Sequence, residues 1–338
     1  MQCKCGHLVG LMAACALVTA AGHAGPVRAQ QPEPPTQSLP QPAYLPAPVP
    51  QTPHSTGDPS SSALPDVPPD GSPAPATVAA VSPRAFFPTV VRSPASLPNP
   101  PADKNDIRAY INYFRALAGA PAISLDATLN NNCWLHARYM AENNVLTHQE
   151  DPNNPWYTPQ GQVCAGNGNA WMGGAFYQPY WQPYHAIEGW MGSVGHRLWM
   201  LYPTTPVFGF GFYTAANNRA AAGLDVLSRF NSTADASYPN WPVRYPASGQ
   251  TDVPAAQYPI TIFWRYWGPA PTLTGASLRT ADGVAVAHTA TTSLDAGHKG
   301  VKVTPSVALA RNTAYVVSIS GAYNGAPFSY TWSFRTSP

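Results

Sequence analysis

The chain has 338 residues, with 40 prolines and with 18 basic and 16 acidic residues that together make up 10% of the sequence. An average soluble protein has roughly 25% charged residues. A formal net charge of +2 excludes a polybasic protein that binds nucleic acid by neutralising phosphates. The 10 Trp, 17 Tyr and 11 Phe suffice for a buried core if the prolines are segregated from them.

The first 29 residues have the features of an export signal. Lys4 supplies a positive start, residues 8–21 are mostly apolar, and Ala24 or Ala29 ends a small-residue cleavage site. The apolar run is too short to cross a bilayer. We therefore predict a secreted or cell-surface protein with no transmembrane segment after cleavage. Cys15 within the run leaves a lipoprotein interpretation open.

Residues 30–102 form a proline-rich segment, because residues 30–101 hold 21 of the 40 prolines and few large apolar residues. Such a composition cannot bury enough surface to offset the entropy lost on ordering. The segment is predicted to be a disordered, extended linker.

The elements of a first folded domain follow, over residues 103–240. Residues 107, 110, 111, 114 and 117 place apolar side chains on one helical face, and Gly119 ends that helix. Asp126 is a natural N-cap for a second helix, which fades at residues 143–144. Residues 150–183 are predicted to be a loop. Further helices are expected at 184–191 and 195–201, and strands at 207–213 and 220–226.

From residue 241 to 338 the pattern changes to the alternation of polar and apolar residues that is typical of strands. The pairs Asp282-Gly283 and Asn324-Gly325 are strong hairpin-turn signals. About a hundred residues of short strands at this spacing predict an all-β immunoglobulin-like sandwich.

Cys133 and Cys164 are the two cysteines that remain after removal of the signal, which holds the other three. In an oxidising compartment an even pair usually forms a bridge. We predict a Cys133–Cys164 disulfide, with two buried free thiols as the alternative.

Four short motifs in the first domain carry a resemblance to a known family. Residues 136–141 have the sequence His-Ala-Arg-Tyr-Met-Ala, and residues 146–148 have Leu-Thr-His. Residues 190–197 have Trp-Met-Gly-Ser-Val-Gly-His-Arg, and residues 208–211 have Phe-Gly-Phe-Gly. In this order and spacing they resemble the CAP superfamily of cysteine-rich secretory, antigen 5 and pathogenesis-related proteins, over about residues 103–235. The resemblance implies an α+β fold, a three-layer α-β-α sandwich.

The resemblance also implies a cleft in which two histidines meet, and His148 and His196 match that pair. Family members with a full tetrad add two glutamates, and some of them bind a divalent metal. This chain departs at both acidic positions, where Gly168 and Ser193 stand. The cleft residues expected are therefore His148, His196, Ser193, Asn169 and Glu188, the last as a substitute acid.

A metal held by His148 and His196 alone has fewer than the three or four protein ligands of a usual Zn site. We therefore expect that no cofactor is required, and Zn²⁺ at this pair stays an alternative. Glu150 is a second candidate acid near His148. His136 lies on an apolar helical stripe and is predicted to be a hydrogen-bonded core residue.

Six rings in residues 171–184 form an aromatic loop that either packs over the cleft or offers a platform for a sugar or lipid. They are Trp171, Phe176, Tyr177, Tyr180, Trp181 and Tyr184. Packing is the favoured alternative.

The C-terminal domain resembles bacterial surface-layer Ig-like domains. Residues 245–254, Tyr-Pro-Ala-Ser-Gly-Gln-Thr-Asp-Val-Pro, are similar to their opening, and residues 332–336, Trp-Ser-Phe-Arg-Thr, to their closing strand. The resemblance implies a spacer or adhesive unit. His288 and His298 are expected to face solvent.

These observations favour an exported, non-catalytic protein that binds an extracellular partner, which is a protein, a glycan or a lipid, through the cleft. No nucleic-acid partner is expected. The alternatives are a metal-dependent hydrolase that uses His148 and His196, with Glu188 or Glu150 as the acid-base group, and an architectural wall-spacing protein.

Overall fold

The computed structural model describes residues 96–174 and 180–338. The predicted signal and most of the proline-rich segment lie outside the described residues, as do Phe176 and Tyr177. Residues 96–102 contain no helix or strand. None of the helices in the described ranges combines the length and the apolar character that crossing a bilayer requires.

Helices and strands mix in the first half of the described chain, as expected. This helix-and-strand region contains α1 (Ile107–Leu117), β1 (Ser124–Leu125), α2 (Ala127–Asn143), α3 (Pro159–Gly166), β2 (Gly168–Met172), α4 (Pro183–Gly192), α5 (Val194–Met200), β3 (Val207–Thr214) and β4 (Ala220–Asp225).

Local sequence signals set the ends of the first two helices. The Ala109 amide donates to Asp106 at the N-terminus of α1, and Gly119 follows α1 with φ +72°. The Leu129 amide donates to Asp126 at the N-terminus of α2, and Asn144 ends α2 in the left-handed conformation. Side-chain caps and left-handed C-terminal residues satisfy backbone groups that a helix end leaves without a partner.

The four strands of this region form one sheet in the order β1-β3-β4-β2, with β1 parallel to β3 and the other pairs antiparallel. Helix α2 packs directly on one face, because a Cβ at Gly211 would lie 1.9 Å from the Trp134 backbone nitrogen. Large side chains such as Phe208 and Leu224 face α1, α4 and α5 in a shared core. The predicted three-layer α-β-α arrangement is confirmed.

The expectation of a loop over residues 150–183 is wrong in part, because α3 and β2 lie within it. Thr158 caps α3, where its hydroxyl accepts from the Gly161 amide, and Pro159 occupies the first turn. Proline at this position is a helix-start signal that the sequence contained. The disulfide prediction is confirmed, since Cys133 of α2 and Cys164 of α3 are bridged.

The C-terminal half is all strand apart from a short 3-10 turn at residues 295–297, which confirms the expected change of pattern. Its strands are β5 (Val243–Tyr245), β6 (Ile260–Phe263), β7 (Thr272–Thr280), β8 (His288–Ser293), β9 (Lys299–Pro305), β10 (Ala314–Tyr323) and β11 (Ala326–Arg335). They form one sheet in the order β11-β10-β7 and a second in the order β5-β6-β9-β8. Asn324 and Gly325 both have positive φ in the β10–β11 hairpin, as the turn signal predicted.

The helix-and-strand region and this β region share one continuous hydrophobic core. Arg197 of α5 is fully buried at their contact, where its guanidinium donates to the Met191 and Pro259 carbonyls. Its charge lies 4.6 Å from the ring centre of Tyr258 and 5.2 Å from that of Tyr245. Arg197 therefore ties α5 both to α4, through Met191, and to the β region, through Pro259.

Candidate functional site

His148 and His196 come together although 48 positions separate them in the chain. Their ring centres are 6.3 Å apart and their planes differ by 26°, which is a stacked arrangement. His148 belongs to the exposed segment after α2, and His196 lies half-buried on α5.

One nitrogen of each ring is held by the protein. His196 Nδ1 lies 3.0 Å from Ser193 Oγ, and His148 Nδ1 lies 3.3 Å from the Ala165 carbonyl at the end of α3. Among the described residues no hydrogen-bond partner is found for either Nε2. Since a carbonyl oxygen only accepts, His148 Nδ1 donates, and Nε2 of a neutral His148 is an acceptor; Nε2 of His196 is a donor or an acceptor according to tautomer.

Asn169 fixes the backbone at His196 by a hydrogen bond. It is buried in β2, and its Nδ2 donates to the His196 carbonyl over 3.1 Å. At the neighbouring Gly168 a Cβ would lie only 2.0 Å from the Leu224 carbonyl oxygen. No side chain fits at this position, which is where the family resemblance placed a glutamate.

The two candidate acids are engaged elsewhere. The buried carboxylate of Glu150 pairs with His136 at 2.9 Å and accepts from the Thr158 amide. Glu188 accepts from Lys104 Nζ and from the Tyr110 hydroxyl, each at 2.8 Å. Glu150 therefore belongs to the α2–α3 layer and Glu188 to the α1–α4 layer, each with partners other than His148 and His196.

Whether a metal ion fits at His148 and His196 depends on how many ligand side chains lie near them. Within residues 96–174 and 180–338, no three His, Cys, Asp or Glu side chains are grouped so that they could hold an ion. A Zn²⁺ site normally has three or four protein ligands. The two histidines and their surroundings do not meet this requirement.

His196 lies in an environment that favours the neutral ring. Burial lowers its pKa from the usual 6.5, the neighbouring His148 lowers it further, and Asp295 of the β region opposes both effects. Asp295 lies in the 3-10 turn that packs on α5, where its Cβ is 3.2 Å from the position a Cβ of Gly195 would take. A carboxylate of the β region therefore influences His196, and no feature of the sequence predicted this contact.

The prediction for His136 is confirmed, since the ring is buried and bonds to Glu150 and to the Thr147 carbonyl. The prediction that His298 faces solvent is wrong. This side chain is 3% exposed and lies among the rings of Trp199, Tyr202, Phe263 and Tyr266. His288 is partly buried on β8, with Nδ1 2.7 Å from the Val286 carbonyl.

The described rings of the aromatic loop are mostly packed. Trp171 and Trp181 meet edge to face at 5.2 Å, and Trp181 donates to the Gly174 carbonyl. Tyr184 packs against the main core. Tyr180 is the exception, because it is 60% exposed while it stacks on His185.

Comparison with known proteins agrees with this architecture. Residues 108–228 match the family described as CAP, cysteine-rich secretory protein family, and residues 235–336 match the bacterial Ig-like domain Big_5. No curated protein matches the chain. The chain therefore carries a CAP domain followed by a bacterial Ig-like domain, which confirms the resemblance. The exact boundary near residue 240 stays a prediction.

Proposed function

We propose that this protein is exported and acts without catalysis, binding a partner at the cell surface or in the extracellular medium through the cleft at His148 and His196. The two domain matches are consistent with a non-catalytic binding protein. CAP domains are typically secreted, and the Cys133–Cys164 bridge suits an oxidising compartment.

One observation supports binding over chemistry at this cleft. The stacked imidazoles leave their Nε2 atoms to a ligand, while Glu150 and Glu188 are hydrogen-bonded in other layers of the domain. General acid-base catalysis needs a group of suitable pKa within about 3 Å of the reacting proton. Because neither ring is hydrogen-bonded to a carboxylate among the described residues, we infer that the pair recognises hydroxyl groups of a ligand through the two Nε2 atoms.

The partner is an extracellular protein, glycan or lipid. The exposed ring of Tyr180, which stacks on His185, is a separate surface feature of the same domain. The competing proposals are a hydrolase with a divalent metal such as Zn²⁺ at the histidine pair and a wall-spacing protein in which the cleft has no role.

The test compares the purified protein with the double variant His148→Ala/His196→Ala and with the control His288→Ala, whose histidine lies on β8. Retention is measured on arrays of glycans and lipids and on an extracellular protein fraction. We expect the double variant to lose retention, with the control unchanged and no turnover of peptides or esters.

The same preparations distinguish the alternatives. Stoichiometric metal by elemental analysis, together with hydrolysis that disappears in the double variant, would establish the hydrolase. Retention that is equal in all three proteins would remove the cleft from the function and leave the architectural role.

A further inference from the structure

A cavity of about 420 Å³ lies where the end of α1 meets the start of the β region. Residues 116–119 and 240–242 line it, together with Arg244, Ala247, Ser248 and Tyr330. None of the residues of the histidine pair or its supports is among them. Small-molecule sites usually have volumes of roughly 300–1,000 Å³, so the cavity is large enough for an organic ligand.

Arg244 is the charged residue in this lining, and no acidic residue accompanies it among the described residues that form the wall. Its Nη1 is buried without a hydrogen-bond partner within the part of the chain described. The guanidinium is held in place by two rings, 5.4 Å from the centre of Tyr330 and 5.8 Å from that of Trp332. No ion pair of the described residues involves it.

The surroundings of Arg244 disfavour its charge in the free protein. Burial is the main reason that its pKa is lowered from 12.5. Buried polar groups are usually hydrogen-bonded, and a buried donor without a partner is costly. Nη1 itself has no surface open to the cavity, so an anion there would supply the missing counter-charge through the other nitrogens of the guanidinium.

The end of α1 does not supply that counter-charge. The Ala116 carbonyl in the last turn accepts from the Gly119 amide, and the Gly119 carbonyl just beyond the helix accepts from the Tyr238 hydroxyl. The buried guanidinium of Arg115, in the last turn, adds a positive charge where the helix dipole is negative. The cavity therefore has a positive wall at Arg244 and ring surfaces at Trp241 and Tyr330.

We propose that this cavity binds an organic anion, with a carboxylate or phosphate group paired to Arg244 and an uncharged body against Trp241 and Tyr330. Arginine presents paired N–H donors that match both oxyanions, and such charge-assisted hydrogen bonds are among the stronger ones. This site is independent of the histidine cleft and does not rest on the function proposed there.

The experiment uses the purified protein and two variants, Arg244→Met and the control Arg279→Met. Arg279 is an exposed arginine of β7 whose side chain donates to the Gly283 carbonyl. The probes are inorganic phosphate, glucuronate and uncharged glucose, titrated by calorimetry and followed by the thermal midpoint Tm. Phosphate tests recognition of a phosphate group, and glucuronate tests recognition of a carboxylate. Glucose measures the binding that the rings provide without a charge.

We expect at least one anion to bind and to raise the Tm of the wild type and of Arg279→Met. Arg244→Met should bind that anion at least about tenfold more weakly, because a hydrogen bond to a charged group is lost. In the absence of anions its Tm should equal or exceed that of the wild type, since the variant removes a buried charge without a partner.

A purely structural arginine would behave differently. Arg244→Met would then lower the Tm in anion-free buffer, and added anions would act equally on all three proteins. That result overturns the proposal. Absence of binding for both anions, or glucose binding as tightly as glucuronate, overturns it as well.

Discussion

His298 should make this protein less stable as the pH falls. The ring is buried against four aromatic side chains, and neither of its nitrogens has a hydrogen-bond partner among the described residues. Burial, and secondarily the charge of Lys299, lowers the pKa of His298 from 6.5 to about 3. The folded protein therefore binds fewer protons here than the unfolded chain does.

The sign of the effect follows from this order of pKa values. The folded state favours the neutral ring. The resulting contribution to folding stability is fully present above pH 6.5 and is lost as the pH falls from 6.5 towards 3. The difference between the two pKa values corresponds to a total contribution of about 5 kcal/mol to the free energy of unfolding, at 1.36 kcal/mol per pH unit. Between pH 7.5 and pH 5 the same relation gives a loss of about 2 kcal/mol.

The measurement is the free energy of unfolding by urea at pH 7.5 and pH 5, for the wild type, His298→Leu and the control His288→Leu. Wild type and control should lose about 2 kcal/mol more than His298→Leu over this range. At pH 7.5 His298→Leu should be as stable as the wild type, because leucine removes two buried nitrogens without partners. An equal pH dependence in all three proteins would refute the reasoning.

Three further outcomes test other contacts. Replacing Cys133 and Cys164 by serine should lower the free energy of unfolding by about 3.5 kcal/mol, because their separation of 31 residues sets the entropy of the closed loop. The measurement is a urea titration, and a loss below about 1 kcal/mol would contradict that account. Gly211→Ala should prevent folding as judged by circular dichroism, since its Cβ would meet the backbone of α2, whereas Gly192→Ala, with open space, should fold. Asp295→Asn should lower the pKa of His196 measured by NMR titration, because that carboxylate raises it; an unchanged value would argue against the contact.

Local signals in the sequence predicted most of the elements. Asp126 and Gly119 marked helix ends that the structure reproduces, because capping is decided within a few residues of the chain. The hairpin at Asn324 and Gly325 is predictable for the same reason, since both residues tolerate positive φ. The resemblance to the CAP superfamily then predicted the order of the layers and the proximity of His148 and His196.

Contacts between distant segments could not be derived in this way. Residues 159–172 contain few apolar side chains in a regular period, so α3 and β2 are held by the disulfide and by pairing with β4 rather than by their own pattern. Likewise, Glu188 is near His196 in sequence, but α4 turns its carboxylate towards Lys104 and Tyr110. Tertiary packing overrides proximity along the chain in both cases.

The burial of His298 and the effect of Asp295 on His196 have one structural origin. Both groups belong to residues 295–298 of the β region, and this short segment packs against α5, the helix that carries His196. The ring of Trp199, one turn after His196 on the same helix, packs against His298. The Ig-like domain thus forms part of the environment of His196, so a change of charge in segment 295–298 should alter the histidine pair although no residue of the CAP domain is changed.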